Sequence, residues 1–99
     1  MKDEFIPRVG VLGQRHYNYL KKHFPMVINV MRMNGILEQY LKDIEKDAKD
    51  MFDKLVKQLA DSEGINEELK SANEIDWIRS MNSIRNRAEE IVLSEMIYN

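Results

Sequence analysis

A chain of 99 residues suffices for one domain with a modest core, and 43% hydrophobic with 32% charged residues is the composition of a folded chain rather than a disordered one. It has no cysteine, which excludes disulfides, thiolate metal sites and cysteine nucleophiles. The net charge of −2 conceals an asymmetry: residues 1–35 hold six basic and two acidic side chains, residues 36–76 six and twelve, and residues 77–99 three of each.

In chain order, residues 1–13 read as an extended segment. Its start, MKDEFIPRVG, has no apolar run of the signal-peptide kind. GVLG at 10–13 lacks the glycine-lysine-serine/threonine ending of a phosphate loop, so it is expected to be a hinge. Residues 14–35 carry two short helices. On the first, from Gln14 to His23, Tyr17, Leu20 and Phe24 are expected to face inward, and Arg15, Asn18 and Lys22 outward. Pro25 suits the first turn of the second, where its missing amide would be orphaned anyway. That helix, PMVINVMRM, is nearly apolar, reads as a core helix, and stops at Asn34-Gly35.

Residues 36–98 read as a long helical hairpin. Leu37, Leu41, Ile44, Ala48, Met51 and Leu55 follow steps of four and three, as do Trp77, Met81, Ile84, Ala88 and Ile91. SEGIN at 62–66 breaks the hairpin, with Gly64 free to turn left-handed and Asn66 placed to cap a short helix. On the first long helix Glu38–Lys42, Glu45–Lys49, Asp50–Lys54 and Asp53–Lys57 stand acid-first at i, i+4. Two helices of about 24 residues reach roughly 36 Å each and pack most simply antiparallel. The expected fold is therefore all-α, a single domain over 1–99: two long antiparallel helices with the two short N-terminal helices packed against them.

The stretch MNSIRNRAEEIVLSEMIY places Asn82, Arg85 and Glu89 beside an apolar sector that also holds Ile78, Val92 and Met96. The structural reading is a polar seam, with Arg85 and Glu89 paired, onto which the N-terminal helices dock. The functional reading leaves Arg85 or Arg87 available to a phosphate or an acidic partner.

From Gly13 to Tyr98 the chain resembles the transposon-encoded TnpV family. The resemblance is carried by the glycine-centred EGI, the LK before the tryptophan, MNSIRNRAEEIV, the terminal EMIY, and upstream by LGQRHYNYLKKH followed by the G-x-L-x-x-x-L spacing of GILEQYL. It implies an accessory protein of transposons and integrative elements, of the sort sometimes likened to excisionases, and it supplies no catalytic residue.

No nucleophile stands with a paired base, so no enzyme is expected, and no cofactor. His16 and His23, seven apart and without added carboxylates, read as surface or interface residues rather than metal ligands. Basic residues concentrate early: Arg8, Arg15, His16, Lys21, Lys22, His23 and Arg32. Arg15, Asn18 and Lys22 share one helix face that could follow a phosphate backbone. A helix-turn-helix is not expected, because PMVINVMRM offers a reader helix only Asn29 and Arg32. The expected partner is DNA or a DNA-bound recombinase, engaged through Arg8, Arg15, Asn18, Lys21, Lys22 and Arg32. The alternative is a protein–protein interaction module, inhibitor or adaptor, acting through the acidic surface of Asp43, Asp47, Asp50 and Asp53, with Glu45 on the same helix, or through methionine-rich faces. The apolar stripes could also serve a homodimer. No window approaches the roughly 20 apolar residues of a membrane helix, and a cytoplasmic location is the expectation.

Overall fold

A computed structural model describes Ile6 and residues 8–99. Among these it has five α-helices and no strand: α1 (Val11–His23), α2 (Pro25–Met33), α3 (Leu37–Ser62), α4 (Glu67–Ala72) and α5 (Glu74–Val92), which runs into a π-helical turn at Leu93–Ile97. The all-α expectation holds, and the molecule is elongated, 56 × 24 × 21 Å.

The connections follow from local chemistry. Gly35 and Gly64 both take φ of +70°. Each closes a Schellman ending: Gly35 N–H to the Arg32 carbonyl with Ile36 N–H to that of Met31, and Gly64 N–H to Asp61 with Ile65 N–H to Ala60. The Asn66 side chain accepts the Leu69 amide and caps α4, and that of Asn73 accepts the Asp76 amide and caps α5.

Helices α3 and α5 form the hairpin, and α4 folds back on the start of α5. Ile84 and Ala88 on α5 are buried, as are Leu37, Leu41, Ala48 and Ala60 on α3. At the other end α1 lies on α3 and on the π turn, with α2 against α1. Val9, Tyr17, Leu20, Ile28, Met31, Leu37 and Leu41 make one core cluster there. Ala48, Val92 and Ile97 centre a second, with Leu12, Ile44, Phe52 and Leu55 packed around it.

Several expectations need correction. Helix α1 begins at Val11, so Gly13 lies inside it and is no hinge. Its lack of a side chain lets α1 approach α3: a Cβ there would stand 3.0 Å from the Leu41 carbonyl oxygen and collide with the Val9 side chain. Phe24 is exposed, and α2 is no core helix, because only Ile28 and Met31 face the body of the protein. The short helices do not dock around Arg85. Helix α1 finds its surface on α3 and the π turn, and leaves Ile78, Asn82 and Arg85 exposed.

Candidate functional site

Helix α1 is the most basic element, and its anchorage is polar as well as apolar. It has no acidic residue in its first turn, and its N-cap, Gly10, supplies no side chain. Glu45 takes that role from across the core. Its carboxylate accepts the Gly13 amide and is largely shielded from solvent, with Lys49 3.4 Å away. An anion at the positive end of a helix is favourable, so a residue expected on the acidic outer surface instead faces inward. Gln14 holds the preceding segment. Its Nε2 donates to the carbonyls of Ile6 and Val9, and its Oε1 accepts the Ile6 amide. Arg8 therefore projects from a loop clasped on both sides, exposed, with φ of +68°. A bulky residue in the left-handed region costs of order 1 kcal/mol or more, which the clasp offsets.

The basic residues then divide. Arg8, Arg15 and Lys22 are exposed, and Lys21 is half-buried and already engaged. Arg32 is committed to Tyr17: its guanidinium donates to the hydroxyl at 2.6 Å and lies 5.7 Å from the ring centroid. Asn18 is half-buried, with its Oδ1 enclosed and unmatched among the described residues. His16, expected at the surface or an interface, is at an internal interface and only 3% exposed. Its Nδ1 lies 2.8 Å from the Ile97 carbonyl oxygen and its Nε2 2.8 Å from the Tyr40 hydroxyl. A carbonyl only accepts, so Nδ1 carries the proton and Nε2 accepts from Tyr40. Burial raises the Tyr40 pKa and keeps that hydroxyl a donor. Ile97 is in the last turn, where carbonyls lack helical partners. His16 thus ties the chain's end to α1 and α3, and is closed to phosphate.

The polar row on α5 behaves differently from the expected seam. Glu89 faces Arg15 of α1 at 3.8 Å rather than pairing with Arg85, and both partners are about half exposed. Asn82 and Arg85 face solvent. Arg87 is already engaged: it grips Glu63 with two hydrogen bonds of 2.8 and 3.0 Å, tying α5 to the end of α3. That bidentate bond holds the Glu63 pKa below its ordinary value.

Asp43, Asp47, Asp50 and Asp53 are all exposed on α3, with Asp43 accepting from Gln39 at 2.9 Å. Among the described residues the Glu38–Lys42 and Glu45–Lys49 pairs close, at 3.2 and 3.4 Å, whereas Asp50–Lys54 and Asp53–Lys57 do not. Beside this face is a groove of about 300 Å³, with Leu12, Phe52 and Val92 as its apolar lining and Lys49, Asp53 and Glu89 as its charged residues. No group of three or more histidine, aspartate or glutamate residues is placed to hold a metal ion among the described residues, and none of their helices is long and apolar enough to cross a membrane.

Sequence reasoning missed the clasp by Gln14, the bond of Glu45 to the Gly13 amide, and the groove. The glutamine and glutamate carry no motif, and the groove depends on how three helices converge. No curated protein and no solved structure matches the chain. The family model described as transposon-encoded protein TnpV matches residues 1–97, reaching further toward the start than the Gly13–Tyr98 resemblance. With nearly its whole length matched, the chain belongs to the TnpV family of transposon-encoded proteins.

Proposed function

We propose that this protein is a non-enzymatic accessory or regulatory protein of a mobile genetic element, working in the cytoplasm, that contacts DNA or a DNA-bound recombinase through its basic N-terminal segment. One observation carries the reading. Residues 5–37 contain no acidic side chain, and within them Arg8, Arg15 and Lys22 stand exposed. Among the described residues the only acid that faces any of these three is Glu89, at 3.8 Å from Arg15. An exposed pair of that length is worth little, roughly 0–1 kcal/mol, so a phosphate competes with it readily.

The test is a fluorescence-anisotropy titration with random duplex DNA at low and at physiological salt. Three phosphate contacts give a slope of about −3 in log K against log salt. Replacing Arg8, Arg15 and Lys22 by glutamate, with helicity checked by circular dichroism, should abolish the binding. No binding by the parent chain at low salt would remove direct DNA contact from the reading. The second reading, an interaction module, is favoured by Met26 and Met33 on α2, which are 70% and 86% exposed. Co-purification of a protein partner that survives nuclease treatment would support it.

A further inference from the structure

Aromatic side chains gather where α1 ends beside the last turn of the chain, with Tyr19 at their centre. Its ring centroid lies 4.7 Å from that of His23, 6.3 Å from Phe24 and 5.8 Å from Tyr98, the last two edge to face. Tyr19 is half-buried and packs against the first core cluster. The rings around it are exposed, Phe24 by 49% and Tyr98 by 46%. Tyr98 is held in place by the π turn. Its amide donates to the Leu93 carbonyl at 2.8 Å, and the neighbouring Ile97 carbonyl accepts from His16 of α1. A ring fixed in this way loses little freedom when something stacks on it.

Cations share this surface. At about 100° per residue, Arg15, Tyr19, Lys22 and His23 fall within an arc of about 100° on α1, with Arg15 and Lys22 roughly 10 Å apart along the axis. Both are exposed. Neither α1 nor α2 carries an acidic side chain. The neighbouring acids belong to α5 and the last turn: Glu89, which faces Arg15 at 3.8 Å, and Glu95, which is exposed.

Rings flanked by cations suit an unpaired strand, whose bases offer π faces to stack on and whose phosphates offer charge. A duplex keeps those faces covered between its own base pairs. We propose that the aromatic cluster of Tyr19, Phe24 and Tyr98 is a stacking platform for the bases of single-stranded DNA, with the phosphates running past Arg15 and Lys22. This rests on the DNA reading above and narrows it to unpaired strand.

The test is fluorescence anisotropy at low salt with a labelled single strand of about 12 nucleotides and with the duplex of the same sequence. The single strand should bind about tenfold more tightly, or better. Tyr98→Ala and Phe24→Ala remove exposed rings, and melting curves check that both variants keep the fold. Each should weaken binding of the single strand about tenfold and leave that of the duplex unchanged, whereas Tyr98→Phe, which keeps the ring, should bind as the parent chain does. A single strand held no better than the duplex, or held equally well by both alanine variants, overturns the platform and leaves the DNA reading standing. No binding of either form overturns both. An RNA strand of the same sequence held more tightly than the DNA strand overturns the assignment to DNA.

Discussion

Gly13 and His16 decide how closely α1 lies on the rest of the protein, and both act through what surrounds them. Glycine inside a helix ordinarily costs roughly 0.5–1 kcal/mol relative to alanine, so Gly→Ala is usually stabilising. At Gly13 the sign reverses. The added methyl collides with Val9 and crowds the Leu41 carbonyl, and α1 must lift from α3 or the Val9 segment must move. Overpacking of this kind costs about 1–3 kcal/mol. Gly13→Ala is therefore expected to lower the urea midpoint with an unchanged slope, and a raised midpoint would show that the approach is not tight. His16 shows why the sequence misled at single positions. Its spacing from His23 placed both on one helix face, but burial was decided by Tyr40 and Ile97, which are 24 and 81 residues away.

The helices themselves were largely readable. Periodicity, the Asn-Gly stop, the SEGIN break and the Asn66 cap gave the five α-helices, though not the first turn of α1 or the π turn at Leu93–Ile97, because each depends on neighbours within a turn or two. What failed was orientation. PMVINVMRM looked like core from composition alone, whereas α2 offers the body only two of its residues. The Arg85 face looked like a docking seam because it is half apolar, yet α1 went to α3, where Gly13 permits close contact. The join between α3 and α5 yields a test of its own. Glu63 and Arg87 clamp the hairpin's turn, and the hydrogen bonds lower the Glu63 pKa below the ordinary 4.5. A depressed carboxylate pKa gives a contribution that is complete above the unfolded value and lost as pH falls through the folded one. The gap in melting temperature between the parent chain and Glu63→Gln should therefore be constant near neutrality and close as pH drops below about 4. A gap that persists at low pH would mean that the carboxylate charge is not its source.

The molecule as a whole is unevenly held. From Lys49 to Ser83 the only buried residue is Ala60, although the hairpin runs straight through that stretch. The buried side chains concentrate at the opposite end, where α1, the first half of α3 and the last turns of α5 converge on Tyr17, Leu41, Val92 and Ile97. The α4 end relies on half-buried contacts, on the Glu63–Arg87 clamp and on Lys70 over the Trp77 ring at 4.8 Å. Helices of six residues have no stability of their own, so α4 persists only while it packs on α5. Opening there exposes little apolar surface and costs correspondingly little, whereas opening around Leu41 breaks both clusters. Hydrogen exchange should therefore separate the two ends. Amides of α4 and the first turn of α5 should exchange through local opening, far faster than those of α3 between Leu41 and Ala48, which should exchange only on global unfolding. Equal protection along the whole of α3, α4 and α5 would mean that the long axis unfolds as one unit, and that the sparse burial past Lys49 is made good by something other than the chain's own core.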